Sequence, residues 1–183
     1  RSAEYALSRD EYEPGYTKLN AQIGNNELEL RNRKKNLSNI IKKINLEIEI
    51  RTLLDYGGDR GQFIPDDFRN VKKYVYDISD SEVVDGVHKL NEVDGKYFDF
   101  IMCCHTLEHV NEPLNFLKLV AQHVIPNGYL YLELPLDMPF REYVSLALNV
   151  ESIMPNLSPM LMHEHINFYS NKSVDMMAQK LGF

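Results

Sequence analysis

The stretch that decides the fold reads Arg51-Thr52-Leu53-Leu54-Asp55-Tyr56-Gly57-Gly58-Asp59-Arg60-Gly61-Gln62-Phe63. It predicts a short apolar strand, then a tight turn, then a helix that begins near Gly61. Gly57, Gly58 and Gly61 permit backbone conformations that a side chain forbids, and they let a ligand approach the main chain closely. Because the N-terminus of a helix presents unpaired amides, we expect a cofactor at this turn.

The bulk composition is that of one globular domain with a substantial core. The chain has 183 residues, of which 44% are apolar and 26% are charged, which is ordinary for a folded domain. Its net charge of −7 argues against nucleic-acid binding, since nucleic-acid binders usually present a basic surface. No apolar run approaches the roughly 20 residues of a membrane span. Cys103 and Cys104 are adjacent and would point to opposite faces of a strand, so we expect reduced cysteines and a cytoplasmic setting.

The rest of the chain alternates predicted strands and helices. Residues 1–48 are predicted to form a helical lead-in or cap, with a helix over 16–46, and residues 49–183 are predicted to form the main domain. Strands are expected at 51–56, 73–77, within 83–90, at 96–104 and at 129–135. Further helices are expected at 113–124 and 172–181, with a turn at 126–128. Ser170 or Asn171 would cap the last helix and Gly182 would end it.

This alternation predicts βαβ units, and therefore an α/β fold with a parallel sheet and helices on both faces. In such sheets a ligand binds beyond the carboxyl ends of the strands. The glycine turn follows the first predicted strand, Asp77 follows the second and His105 follows the fourth. The three candidate positions are therefore expected to converge on one edge of the sheet.

The glycine turn resembles motif I of the class I S-adenosylmethionine (SAM) dependent methyltransferases, Asp-x-Gly-x-Gly-x-Gly. Asp55, Gly57 and Gly61 match this motif, whereas Asp59 replaces its second glycine. An acid here would repel a pyrophosphate but can lie near the ammonium group of SAM. The resemblance implies SAM as the cofactor and gives Asp77 the ribose hydroxyls. The implied cofactor-binding residues are Tyr56, Gly57, Gly58, Asp59, Gly61, Asp77, Ser79 and His105.

Two later segments extend the resemblance in the expected order. The run from Phe98 to Val110, Phe-Asp-Phe-Ile-Met-Cys-Cys-His-Thr-Leu-Glu-His-Val, looks like the "FDxI…HxLEHV" segment of this superfamily. Residues 125–130 are similar to its "LxPGGxL" turn and fifth strand. Together they imply a Rossmann-like, doubly wound parallel sheet. Because Leu181-Gly182-Phe183 resembles the phrase that precedes the last two strands of that fold, those two strands are expected to be missing.

His105, Glu108 and His109 have the spacing i, i+3 and i+4, which brings them to one face if the segment is helical. Histidines and a carboxylate on one face can hold a divalent metal, and related quinone O-methyltransferases resemble this segment and use such residues in that way. The simpler interpretation is that His109 is a packed histidine and that Glu108 is a hydrogen-bond partner at a helix end. We therefore expect no metal, and keep His105, Glu108 and His109 as the alternative.

The segment from Glu164 to Ser170 resembles the "E-H-x-x-x-[FY]-S" segment of sugar methyltransferases. Deoxysugar C-methyltransferases place a general base at this histidine, and a neutral histidine can remove a proton from a hydroxyl or from a carbon beside a ketone. The expected catalytic residues are His165, Glu164 and His109, although His165 could instead be a structural cap. Those enzymes carry an N-terminal zinc-binding cysteine module, whereas the 183 residues here contain two cysteines, Cys103 and Cys104.

The sequence therefore predicts a SAM-dependent methyltransferase whose acceptor is small and polar, such as a sugar nucleotide or a glycan. One alternative is a metal-assisted O-methyltransferase of a small molecule. Another is a non-catalytic methyltransferase-like domain, which the Asp59 substitution and the missing strands would suit. Membership of a larger chain or of a homo-oligomer stays open, as do the acceptor and the atom that is methylated.

Overall fold

The computed structural model describes residues 27–44, 46, 48–135 and 165–183. Within them lies a five-stranded, all-parallel sheet with the strand order β3-β2-β1-β4-β5. The strands are β1 (Thr52–Tyr56), β2 (Lys72–Tyr76), β3 (Val87–Leu90), β4 (Phe98–Cys104) and β5 (Val124–Glu133). The helices are α1 (Glu27–Ile44), α2 (Pro113–Ala121) and α3 (Asn171–Leu181), and a 3₁₀ turn spans Leu107–His109. The strand order reverses beside β1, so the predicted Rossmann-like sheet is confirmed.

The described elements form two compact units. One unit holds residues 27–104 and 118–133, and so contains α1 and the whole sheet. The other unit holds residues 105–117, 134–135 and 165–183, and so contains the 3₁₀ turn and α3.

The core of the sheet unit is built from the two central strands. Leu53 in β1 and Phe100 in β4 are buried, as expected for strands that are covered on both faces. Leu37 of α1 belongs to the same cluster of buried residues. Arg33 of α1 also stacks its guanidinium 3.8 Å from the centre of the Phe63 ring. Of the predicted N-terminal segment, the described part is therefore a helix that packs into the core beside the sheet.

The helix predicted after the glycine turn is wrong. Residues 57–71 form successive turns, closed by bonds of the i to i+3 type such as the one from the Gly61 amide to the Gly58 carbonyl. The φ angles of Gly57, Asp59 and Gly61 are 76°, 50° and 73°, and a right-handed helix cannot include such residues. Pro65 then follows, before a helical turn could form. The amides at this turn thus come from a loop rather than from a helix N-terminus.

The turn predicted at residues 126–128 lies inside β5. Phe98 pairs with Val124 and Phe100 pairs with Tyr129, so β5 carries extra residues at this point. Asn127 has a φ of 63°, and a proline inside a strand is tolerated at such a bulge because its missing amide is not needed. The turn residues therefore bend the strand and do not end it.

The caps predicted for the last helix are confirmed. The Ser170 side chain accepts a hydrogen bond from the Ser173 amide, and Gly182 ends α3 with a left-handed φ of 86°. The N-terminal helix begins at Glu27, and the earlier part of its predicted range lies outside the described residues. Among the helices that the structure describes, none is long and apolar enough to cross a membrane.

Candidate active site

The glycine loop continues the sheet at the carboxyl end of β1. The Gly57 amide donates a 2.8 Å hydrogen bond to the carbonyl of Tyr76 at the end of β2. A Cβ on Gly58 would lie only 2.1 Å from Cγ of Asp55, far closer than two carbon atoms can approach. The loop therefore folds tightly over the end of its own strand, and this explains why glycine occupies position 58.

The predicted ribose-binding acid, Asp77, links this loop to the turn after β2. Its Oδ2 accepts a 2.8 Å hydrogen bond from the Asp59 amide, and its Oδ1 accepts a 2.7 Å bond from the Ser79 amide. The Ser79 hydroxyl also donates to Oδ1 of Asp59 at 3.1 Å. Each carboxylate oxygen has a second lone pair, so Asp77 can still accept hydrogen bonds from a ligand hydroxyl.

Asp55 is a buried acid directly beneath the loop. It is 1% exposed, and its Oδ2 has no hydrogen-bond partner. Burial, reinforced by the neighbouring carboxylate of Asp77, raises the pKa of Asp55 to about 7 despite the opposing charge of Arg33. The motif identified Asp55 but assigned it no role, because a strand pattern does not show which buried oxygen lacks a partner.

Two further predicted cofactor-binding residues of this unit, Tyr56 and Ser79, make contacts within the fold. The Tyr56 ring packs edge-on against Tyr76, with 5.1 Å between the ring centres, and burial raises the pKa of its hydroxyl. The ammonium group of Lys89 in β3 donates a hydrogen bond to the carbonyl of Ser79. The same ammonium lies 3.4 Å from the carbonyl oxygen of Ser81. The turn after β2 is therefore bonded both to the glycine loop, through Asp59, and to β3, through Lys89.

These residues fit SAM. Asp77 offers acceptors for the hydroxyls of a ribose. The acids Asp59 and Asp77 provide negative potential beside the loop, which suits a cofactor with positive groups. The carboxylates here would repel a pyrophosphate, which is the same preference that the sequence predicts.

A second cluster lies in the other unit, around Glu108 of the 3₁₀ turn. This side chain is 0% exposed, and its Oε2 has no hydrogen-bond partner. Its Oε1 lies 3.2 Å from Nδ1 of His105, and 4.0 Å from Nε2 of both His109 and His165. One buried carboxylate thus faces three histidines.

His165 reaches this cluster because its segment hydrogen bonds to the 3₁₀ turn. The amides of Ile166 and Asn167 donate to the Glu108 carbonyl at 2.9 and 3.1 Å. The Asn167 side chain donates to the Val110 carbonyl at 2.6 Å, and the Tyr169 hydroxyl donates to the Leu107 carbonyl at 2.9 Å. The unpaired carbonyls of a short turn thereby find partners.

The group of ligands close enough for a metal differs from the set suggested by the sequence. Glu108, His109 and His165 each offer one ligand atom, all within 4.8 Å of one another. His165 takes the place expected for His105, which contacts Glu108 through Nδ1 at 3.2 Å. Spacing along the chain could not reveal this, because His165 approaches through tertiary contacts. Glu164, the other predicted catalytic residue of this segment, lies outside the described residues.

Known proteins resemble the chain in sequence and in fold. The Ubiquinone biosynthesis O-methyltransferase of Hydrogenovibrio crunogenus is 28% identical over 85 residues, which are 46% of this chain and 34% of that protein. The chain thus spans about a third of that relative. The plantazolicin methyltransferase BpumL, in complex with a monoazolic desmethylPZN analog and SAH, has a TM-score of 0.64 at 12% identity, covering 92% of this chain and 70% of the other. An O-methyltransferase family protein from Burkholderia thailandensis has a TM-score of 0.54 at 16% identity, covering 80% and 51%.

The solved structures share the fold, and the family follows from the sequence. A family model described as "Methyltransferase domain" matches residues 23–183, which include all described strands and helices. The match covers the glycine loop, Asp77 and the cluster around Glu108. The chain therefore belongs to the methyltransferase domain family.

Proposed function

We propose that this chain is the SAM-binding domain of a methyltransferase that methylates a small polar acceptor, most simply a sugar or a saccharide-linked group. The observation that supports cofactor binding best is the Asp77 carboxylate, which two backbone amides hold beside the glycine loop. The sugar acceptor rests on the resemblance of residues 164–170 to sugar methyltransferases. Two of the proteins named above carry other acceptors in their names, ubiquinone and plantazolicin, so the acceptor needs its own test.

SAM, when bound, supplies a methyl group on a positively charged sulfur. In the proposal, the backbone of residues 57–61 lies against the cofactor, and the Asp77 carboxylate accepts hydrogen bonds from the ribose hydroxyls. The contacts suggested for Tyr56 and His105 stay predictions. Catalysis then depends mainly on the alignment of the methyl group with the acceptor.

On the acceptor side we assign the general base to His165. A neutral imidazole can take the proton from an acceptor hydroxyl as the methyl group arrives. The carboxylate of Glu108, 4.0 Å from Nε2 of His165, would stabilise the positive charge that the ring gains. His109 packs its ring against that of His165, with 4.9 Å between the centres, and so helps to hold it. Glu164 stays a predicted partner of the acceptor.

The test is a calorimetric titration of the folded protein with SAM and with its demethylated product, SAH. We expect binding of both, and Asp77→Ala should weaken each by roughly 1–3 kcal/mol, because a charged hydrogen bond is lost. Asp85→Ala is the matched control, since it removes an exposed acid from the same region. Absence of binding to the folded wild-type protein at high micromolar ligand would refute the proposal.

His165 is tested separately by methyl transfer from labelled SAM to a panel of sugar nucleotides. His165→Gln should reduce turnover by about two orders of magnitude or more while leaving SAM affinity unchanged. SAM binding without transfer to any acceptor would instead favour a non-catalytic binding domain. The proposal includes a cytoplasmic setting, which rests on the adjacent positions of Cys103 and Cys104 in β4, since neighbouring strand residues point to opposite faces and are poor disulfide partners.

A metal-assisted O-methyltransferase is the second candidate, because Glu108, His109 and His165 can reach one cation. A divalent cation there would lower the pKa of an acceptor hydroxyl. The two candidates exclude each other at one atom, since a metal-bound Nε2 of His165 cannot also accept a proton. Activity that survives complete removal of metal by a chelator eliminates the metal. Activity that returns only on addition of a divalent cation eliminates the histidine base.

A further inference from the structure

Asp59 occupies a position where the backbone favours glycine. Its φ of 50° lies in the left-handed region, which residues with a side chain seldom adopt, although aspartate tolerates it better than most. The residue is nevertheless only 9% exposed. An acid in a strained and nearly buried position requires a compensating interaction.

The compensating interaction is a closed ring of three hydrogen bonds. The Asp59 amide donates to Asp77, the Ser79 amide donates to the other oxygen of Asp77, and the Ser79 hydroxyl donates to the Asp59 carboxylate. A glycine at position 59 would keep the first bond and lose the third. The aspartate side chain therefore closes the ring that joins the loop after β1 to the turn after β2.

Neighbouring bonds also join the loop after β1 to the connection that follows β2. Nε of Arg60 donates to the Glu82 carbonyl at 2.9 Å, and the Val84 amide donates to the Arg60 carbonyl at 3.0 Å. The ammonium of Lys89 holds the Ser79 carbonyl. With these bonds in place, the orientation of the Asp77 carboxylate depends on the ring that contains Asp59.

We propose that Asp59 is a positioning residue, which fixes the orientation of the Asp77 carboxylate for the ribose of the cofactor. This inference rests on the proposed SAM binding and deepens it. It differs from the direct contact with the SAM ammonium group that the sequence suggested, because the bond from Ser79 to Oδ1 of Asp59 ties this side chain to the turn that carries Asp77. Asp59 thus acts on the ligand through Asp77.

Calorimetry with two probes distinguishes positioning of Asp77 from direct contact with the amino-acid group of the cofactor. SAH carries the amino-acid group, whereas 5′-methylthioadenosine carries the adenosine and the sulfur without it. If Asp59 positions Asp77, Asp59→Gly and Ser79→Ala each weaken both probes by the same factor, about tenfold. The double variant loses no more than either single variant, because both remove one hydrogen bond. Asp59→Asn stays within about threefold of wild type, because its amide oxygen also accepts from Ser79.

Ser79→Ala is the sharpest variant, since it opens the ring without changing the backbone freedom at position 59. Asp85→Asn serves as the control for removal of a negative charge and should leave both affinities unchanged. Circular dichroism of every variant confirms that it is folded before titration.

Three results would overturn the inference. Loss of affinity for SAH alone would show that Asp59 contacts the amino-acid group. Additive losses in the double variant would show that Asp59 and Ser79 act separately, and unchanged affinity in Asp59→Gly would show that the ring is dispensable. Failure of the wild-type protein to bind either probe would refute the proposed function itself. In that case amide hydrogen exchange still tests the ring, because Ser79→Ala should speed exchange at Asp59 and Ser79.

Discussion

Gly58 and Asp55 are packed so closely that the addition of a single methyl group at position 58 should destabilise the fold. A Cβ on Gly58 would overlap all three carboxyl atoms of Asp55, so Gly58→Ala should lower the free energy of unfolding by about 1–3 kcal/mol. Urea denaturation measures this loss. In an Asp55→Ala background the obstructing atoms are gone, so the same substitution should cost much less.

Gly86→Ala is the control for that experiment, because its cost has another origin. Position 86 has open space within 4 Å but a φ of 78°, so alanine there is strained wherever its neighbours lie. Its cost should be the same in both Asp55 backgrounds. An equal cost of Gly58→Ala in both backgrounds would contradict the proposed overlap.

Single residues differ in how far the sequence could identify them. Asp77 was identifiable because an acid at the end of a parallel strand lies at the ligand-binding edge whatever the details of packing. The bond from Ser79 to Asp59 and the approach of His165 to Glu108 were not. Both depend on side-chain directions set by tertiary contacts, and periodicity reports only which residues share a face.

At the scale of elements, the segment containing His165 is held by a few hydrogen bonds to the 3₁₀ turn. Tyr169 and Asn167 both donate to the Leu107 carbonyl, at 2.9 and 3.4 Å. Tyr169→Phe should cost about 1–2 kcal/mol of stability, since it leaves a buried carbonyl with one donor fewer. Asn167→Ala should cost at least as much, because its side chain also serves Val110.

Amide hydrogen exchange checks where this loss is felt. The amides of Ile166 and Asn167, which donate to Glu108, should exchange faster in Tyr169→Phe while amides of β1 and β4 stay protected. Ser170→Ala is the matched control, because it weakens the cap of α3 without touching the 3₁₀ turn. Faster exchange throughout the sheet would mean that the segment does not open on its own.

The elements predicted from sequence succeed where local and global preferences agree. The apolar runs of β1 and β4 are buried on both faces, and Ser170 and Gly182 cap α3 through short-range bonds. The helix after the glycine loop failed because the three left-handed residues were interpreted as a turn that a helix could follow at once. The turn at residues 126–128 failed for a different reason: its chemistry fits a bulge equally well, and only pairing with β4 decides between them.

At the scale of the whole molecule, acids gather around the glycine loop of a chain with a net charge of −7. Asp77, Asp59 and Glu133 all act on Asp55 in the direction that raises its pKa, and Arg33 opposes them. Arg33 lies on α1 and pairs with Glu133 of β5 at 3.0 Å. The helix before the sheet therefore supplies the positive charge that opposes these acids at Asp55.

This arrangement predicts how stability depends on pH. The pKa of Asp55 rises from 3.8 to about 7 on folding, so between these values the folded state holds a proton that the unfolded state has released. The contribution of Asp55 to the free energy of unfolding should therefore be largest at low pH. It should fall as the pH rises from about 4 to 7, and it should level off above pH 7. Asp55→Asn, which cannot ionise, should remove this dependence.

The measurement is urea denaturation of wild type and Asp55→Asn at pH 5 and pH 8. Comparing the difference between the two proteins at each pH removes the contribution of every other titrating group. From pH 5 to pH 8, the free energy of unfolding of Asp55→Asn should rise by about 2–4 kcal/mol relative to that of wild type. The exposed control Asp85→Asn should show no such relative rise. A difference that does not change with pH would mean that Asp55 is already ionised at pH 5, its burial offset by Arg33. The positive charge on α1 would then be essential to the loop, and Arg33→Gln should make the pH dependence appear.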